Sequence, residues 1–241
     1  MGRNTVATTD RAAGLAGHAA ALSCQGLSMR LGGRAVLDDV WFDVRPGEVY
    51  GVAGPPGSGK STLLLAAGGL RSADAGTVLA HGRRLDQLSV HARTALVGYL
   101  AQDVAVLPGA TVLETLRFWA RTLPRPSLVD RERIAEVLGL VDLAGHAQAV
   151  ADRCPAPVRR ALGLATALLP DPSVLVLDQF LAGIGGPEAD RLLATVRRLR
   201  DTGISVLYAA GTTDEARAVC DRLGVLDRGR LRGERAGLTA A

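Results

Sequence analysis

The sequence predicts an α/β fold built on a mostly parallel sheet, and three observations predict it. Short apolar runs that end in turn residues alternate with amphipathic stretches, the pattern of strands and helices taking turns along one sheet. One of those runs, residues 49–53, leads straight into Gly54-Pro55-Pro56-Gly57-Ser58-Gly59-Lys60-Ser61-Thr62, a glycine loop that opens a helix. Lys60 is the only lysine of the chain; every other member of the 28 Lys+Arg is arginine. A compact ammonium fits a tight backbone cradle that the wider guanidinium fork does not. The loop therefore reads as the phosphate-binding pattern G-x-x-x-x-G-K-[ST] rather than as a Gly/Pro turn with an incidental lysine.

Residues 1–20 carry Thr, Ala, Gly and scattered Arg, and are expected to form a disordered tail with no secretory signal. Residues 21–31 and 35–45 read as two strands joined at Gly32-Gly33, and Pro46-Gly47 makes the turn into the buried strand 49–53. A helix over 61–67 ends at Gly68-Gly69. Strands are expected at 77–80 and 95–100. From 103 to 168 the pattern turns helical, with helices over 112–122, 130–138 and 158–168 and Pro124-Arg125-Pro126 separating two of them. This stretch is expected as a lobe inserted into the sheet domain. Val174-Leu175-Val176-Leu177-Asp178 reads as a buried strand that ends in a carboxylate. A helix over 187–200 sets Leu192, Leu193, Val196 and Leu199 on one face. A strand at 204–208, a helix at 214–219 and a last strand at 223–226 complete a single domain over 21–235, with 236–241 as a C-terminal tail.

A chain of 241 residues is long enough for one sizeable α/β core. Hydrophobic residues make up 48% and charged residues 22%, as in globular proteins. Aromatics are only 3%, too few for a surface that stacks bases, and no dense basic run accompanies the net charge of +4, so no nucleic-acid partner is expected. The mild basicity suits an anionic membrane surface, and equally a solvated, arginine-rich exterior. Cys24, Cys154 and Cys220 have neither metal-ligand spacing nor the number for a disulfide framework, which fits a reducing cytosol. No apolar run approaches the ~18 residues of a membrane span. Val6 stands where N-myristoylation requires Ser or Thr.

The backbone N–H groups of Gly57 to Thr62 are expected around a β-phosphate, with Lys60 bridging β- and γ-phosphates and the Ser61 hydroxyl offered to Mg2+. Gly54, Pro55, Pro56, Gly57, Ser58, Gly59, Lys60, Ser61 and Thr62 thus form the candidate nucleotide-binding set. Pro56 has no N–H, so the cradle has one donor fewer. Asp178, at the end of its strand, is placed to hold Mg2+ through water; the alternative is a residue that caps a loop. ATP is favoured over GTP because no Asn/Thr-Lys-x-Asp segment exists to read guanine.

Beyond the loop, several segments resemble the ATP-binding subunit of ABC transporters over residues 21–232. Leu37-Asp38-Asp39-Val40 and Val44-Arg45-Pro46-Gly47-Glu48-Val49 are similar to its strand lead-in. Val97-Gly98-Tyr99-Leu100-Ala101-Gln102 resembles its Q-loop, and Leu113-Glu114-Thr115-Leu116-Arg117-Phe118-Trp119-Ala120-Arg121 the helical-lobe opening of drug-export subunits. Ala167 to Pro172 followed by Val174 to Asp178 is similar to the run into Walker B, and Leu226 to Leu231 to the closing strand. The resemblance implies a P-loop NTPase (RecA-like) core with an antiparallel β piece and an inserted helical lobe. It makes Gln102 a contact for Mg2+ and water and a hinge to the lobe. It also implies a membrane-spanning subunit as partner, a homodimer or heterodimer with another ATP-binding subunit, and a cytoplasmic place on the inner face of the membrane. In that family each ATP lies between the phosphate loop of one protomer and the signature motif of the other.

The departures from that pattern concentrate on catalysis. Gln179 stands where the family has the glutamate that activates the attacking water. An amide holds a water but does not accept its proton at neutral pH, and losing a general base costs about a hundred- to ten-thousandfold in rate. Cys154-Pro155-Ala156-Pro157-Val158 stands in place of Leu-Ser-Gly-Gly-Gln, with the serine hydroxyl gone and backbone donors removed. Gly211 takes the place of the switch histidine, Ala182-Gly183-Ile184-Gly185-Gly186 lacks the D-loop aspartate, and Leu31 replaces the adenine-stacking aromatic. The expectation is an exporter subunit that binds Mg-ATP with strongly impaired hydrolysis. Two alternatives stay open: a non-catalytic regulatory or scaffold subunit that uses ATP binding as a switch, and an active ATPase in which Asp214 or Glu215 serves as the base.

Overall fold

The computed structural model describes residues 20–123 and 131–236. Residues 1–19, 124–130 and 237–241 lie outside the described residues, and with them nearly all of both expected tails, the Pro124-Arg125-Pro126 break and the first residue of the helix expected from 130. Strands β1 (Leu22–Leu31) and β2 (Arg34–Val44) pair antiparallel across the Gly32-Gly33 turn, where both glycines have positive φ, 54° and 80°. The fully buried β3 (Val49–Ala53) feeds the glycine loop and α1 (Lys60–Ala67). Then come β4 (Ala75–Ala80), β5 (Arg83–Arg84), α2 (Val90–Leu96) and β6 (Val97–Leu100). Helices α3 (Val112–Thr122), α4 (Arg131–Leu140) and α5 (Ala156–Leu168) follow. The chain closes with β7 (Val174–Asp178), α6 (Gly186–Asp201), β8 (Ser205–Ala209), α7 (Thr213–Val219), β9 (Arg222–Asp227) and β10 (Arg230–Ala236).

Two sheets form. The smaller is antiparallel, in the order β2-β1-β4-β5; the larger runs β10-β9-β3-β8-β7-β6, parallel throughout except for β10 at its edge. Helix α1 is the wedge between them. Its Leu63, Leu64, Ala66 and Ala67 share one apolar cluster with Leu22, Phe42 and Val44 of the small sheet and with Val52, Val176 and Leu207 of the large one. The loop that precedes α1 is thereby fixed from both sides. A second cluster joins the other face of the large sheet to α3, α4, α5 and α6 through Leu116, Val137, Leu162, Leu177, Val196 and Tyr208. At the start of α3, Thr111 Oγ1 accepts the Glu114 N–H at 3.1 Å and Glu114 Oε2 accepts the Thr111 N–H at 2.8 Å. Such reciprocal capping stabilises a helix start by about 1 kcal/mol.

Three stretches differ from the sequence expectation, and the first is the short β5, where no strand was expected. The strand expected over 95–100 is β6 alone, and residues up to Leu96 belong to α2. No residue of α2 is buried, so it carries no apolar stripe for periodicity to find. The strand at 223–226 is not the last: β10 hydrogen-bonds outside it, an edge strand with Arg230, Arg232 and Arg235 along it. Charged edges of this kind block further pairing and mask the strand signal. Helices α4 and α5 match the expected 130–138 and 158–168 to within two residues at each end.

Candidate functional site

Two glycines of the loop, Gly54 and Gly59, sit against backbone. A Cβ on Gly54 would stand 2.2 Å from the Leu226 carbonyl oxygen and 2.9 Å from Ser58 Oγ. Gly59, at φ 105°, starts α1 without any side-chain cap, which leaves the first helical N–H groups for a ligand. Within the loop the Ser58 N–H is bonded to the Pro55 carbonyl at 3.2 Å. Lys60 is buried, and its Nζ donates to the carbonyls of Gly54 at 2.6 Å and Pro55 at 3.1 Å. Burial lowers its pKa, and the Asp178 carboxylate opposes that shift.

Asp178 is the last residue of β7 and is 4% exposed. Burial raises its pKa, while hydrogen bonding to Ser61, the Lys60 ammonium and the Tyr99 phenol pull it back. Its Oδ1 is buried without a hydrogen-bond partner, as is Ser58 Oγ. Buried polar atoms of native proteins are nearly always paired, so the unpartnered Asp178 oxygen beside Lys60 and Ser61 marks a place for a polar ligand. Among the described residues no group of three His, Cys, Asp or Glu could hold a metal ion by itself. A Mg2+ bound here could draw on the oxygens of Ser61, Asp178 and Gln102, and such an all-oxygen donor set suits this metal.

Gln179 follows Asp178 with φ 47°, a left-handed backbone that few non-glycine residues adopt. Its Nε2 donates to Gln102 Oε1 at 3.0 Å, so the structure brings together two residues 77 positions apart. Phosphate loop, Asp178, Gln179 and Gln102 thus converge at the ends of β3, β7 and β6. Gly211 is exposed, and its N–H donates to Glu215 Oε2 at 2.8 Å. The other Glu215 oxygen accepts from the Tyr208 hydroxyl, so both are engaged on their own loop. The Asp214 side chain is 94% exposed beside Arg217. Pro155 is the N-cap residue of α5 and Pro157 sits in its first turn. Leu31 ends β1, exposed.

Two residues near the site had no role in the sequence reading. Tyr99 lies on β6 beside β7, and burial and the Asp178 carboxylate raise its pKa. Arg160, on α5, is buried and donates to the carbonyl oxygen of Gln102. Tyr99, one residue before the end of β6 and three before Gln102, stood in a run the sequence did single out; an arginine on a helix carries no such signal. Beside these residues an apolar groove of about 540 Å³ opens between β6 and the helices, lined by Tyr99, Val104, Trp119, Leu123, Gly163 and Leu70 among others.

Comparisons with known proteins identify the family and the fold. A family model described as ABC transporter matches residues 37–182. The chain is 39% identical over 211 residues to an Fe(3+) ions import ATP-binding protein of Streptomyces coelicolor, covering 87% of this chain and 60% of that protein. It is 28% identical over 210 residues to the linearmycin resistance ATP-binding protein of Bacillus subtilis, covering 87% and 67%. The chain thus spans two thirds or less of the length of these relatives. In fold it is similar to a nucleotide-free ATP-binding cassette from an ABC transporter, with a TM-score of 0.81 and 23% identity over 90% of this chain and 92% of that one. The chain belongs to the ABC transporter family, as one of its ATP-binding domains.

Proposed function

We propose that this ATP-binding subunit grips Mg-ATP and hydrolyses it poorly. The observation that carries the reading is the contrast at the end of β7: Asp178 keeps a buried oxygen unpartnered, and the next residue is an amide, Gln179, bonded to Gln102. In this reading Gly54 to Thr62 hold the phosphates, and Lys60 exchanges the carbonyls of Gly54 and Pro55 for phosphate oxygens. Ser61, Gln102 and Asp178 hold Mg2+, which neutralises charge on those oxygens when bound. Gln179 and Gln102 occupy the catalytic positions and orient a water, but neither takes its proton. Glu215 is tied to Gly211 and Tyr208, which disfavours it as a substitute base.

The subunit works, in this proposal, as a single domain over 21–235 whose helical lobe is 103–168. It is cytoplasmic and peripheral on the inner face of the membrane, beneath a membrane-spanning partner that meets the apolar groove beside Gln102. Among the described residues no helix is long and apolar enough to cross a membrane. We assign export as the direction on the 113–121 helix, with support from the relative named for linearmycin resistance; the relative named for iron import argues the other way. A second reading, a regulatory or scaffold subunit forming the degenerate half of a heterodimer, is favoured by Pro155 and Pro157 at the start of α5. Co-purification with an intact ATP-binding subunit supports that reading, and a stable homodimer closed by ATP argues against it. The test of poor hydrolysis is steady-state turnover at saturating Mg-ATP. The chain should turn over well below the ~1 s⁻¹ at the low end of ordinary enzymes; turnover at or above that rate overturns the reading.

A further inference from the structure

Arg160 lies on α5 and is 8% exposed. A guanidinium taken out of water is costly unless its charge is met. Its hydrogen-bond partners here are main-chain: Nη1 donates to the carbonyl oxygen of Gln102 and, at 3.4 Å, to that of Ala101. Burial holds its pKa below the ordinary arginine value, with the Asp103 carboxylate opposing. An apolar side chain of similar volume would fill the space between α5 and the loop after β6 without that desolvation cost. Packing alone therefore does not account for a charge at this position.

The account lies at Gln102. Its main chain is held by Arg160 from α5, and its side-chain Oε1 accepts from Gln179 Nε2 at 3.0 Å from the end of β7. Gln102 is pinned from two sides. The surrounding packing leaves little slack: a Cβ on Gly163, one turn beyond Arg160, would come within 2.7 Å of Leu100 Cδ1 and 2.8 Å of Val104 Cγ2. Helix α5 thus rests directly on the residues that flank Gln102.

We propose that Arg160 is a positioning residue for the nucleotide site: it fixes the main chain at Gln102 so that the Gln102 side chain is delivered to the metal end of bound Mg-ATP. The inference rests on the Mg-ATP reading above and deepens it. Arg160 touches no nucleotide; it acts through Gln102 and ties the helical segment to the site.

The test compares the affinity of the full chain for ATP with Mg2+ and for ATP with EDTA, by calorimetry. The chains compared are the unaltered one, Arg160→Met, Arg160→Lys, Gln102→Ala and the double variant Arg160→Met with Gln102→Ala. Arg160→Met should cut the magnesium-dependent gain in affinity about threefold or more and leave metal-free binding unchanged. Arg160→Lys, which keeps the charge but loses the fork, should fall between. In the Gln102→Ala background Arg160→Met should have no further effect. A parallel loss of both affinities is what a merely structural arginine gives, and it overturns the proposal; so does an additive loss in the double variant. If Arg160→Met does not fold, the split shown by Arg160→Lys decides. An unaltered chain with no magnesium-dependent gain overturns the Mg-ATP reading itself and the proposal with it. That failure is distinct from a gain which every Arg160 variant retains, which overturns the proposal alone.

Discussion

Helices α1 and α5 begin in opposite ways. Before α1 the chain places Gly54, Gly57 and Gly59, with no side-chain cap, so the first turn keeps its N–H groups open. Before α5 it places Pro155 at the N-cap and Pro157 in the first turn, two residues without an N–H. The Arg159 side chain adds a bond back to the Cys154 carbonyl at 2.7 Å, closing that end on itself. Both helices have a positive end. The difference teaches that the dipole is not the anion site; the free donors are. In the proposed reading, this chain builds the half of a nucleotide site that serves itself and leaves out the half that would serve a neighbour.

The comparison can be broken at either helix. The largest expected effect is Gly54→Ala, whose Cβ would stand 2.2 Å from the Leu226 carbonyl. It should lower stability by about 2–3 kcal/mol in urea denaturation and abolish ATP binding, because the loop must move off β9. Unchanged stability would mean the loop is not packed as described. Lys60→Ala should fold normally and weaken Mg-ATP binding by about 10- to 100-fold in calorimetry, the worth of a charge-assisted contact to phosphate. Retained affinity would remove the ammonium from the site.

At α5 the expected effects are smaller. Pro155→Ser combined with Pro157→Gly should cost about 1 kcal/mol of stability through the freer unfolded chain. Binding of Mg-ATP by the single chain should stay within about twofold, while ATP-dependent self-association, followed by size-exclusion chromatography with light scattering, should rise. A large loss of single-chain affinity would contradict the division between the two helix starts. Least of all, Glu215→Gln should loosen the Gly211 loop by about 1 kcal/mol, read as faster amide exchange at Gly211. No change there would show that the Glu215 bonds do not hold the loop.

The sequence carried the parallel sheet and the phosphate loop because both are local signals. A lysine inside a glycine pattern, and apolar runs that end in Asp178 or Ala53, need no knowledge of distant residues. Helix α2 was hidden because none of its residues is buried, and β10 because Arg230, Arg232 and Arg235 dilute its pattern. The Gln102–Gln179 bond joins residues 77 apart, and the hold of Arg160 on Gln102 spans 58. A helix arginine reads as a solvated charge until the fold places a carbonyl against it. Gln179 after the Asp178 strand was legible in the sequence; that its amide turns to Gln102 was not.

A single turnover tests the central claim most directly. The chain is loaded with radiolabelled Mg-ATP, freed of excess nucleotide by rapid gel filtration, and quenched at intervals while bound ATP and ADP are counted. The account predicts that ATP stays intact on the unaltered chain over many minutes. Conversion of the bound ATP to ADP within seconds, the pace of an ordinary turnover of ~1 s⁻¹ or faster, would contradict it.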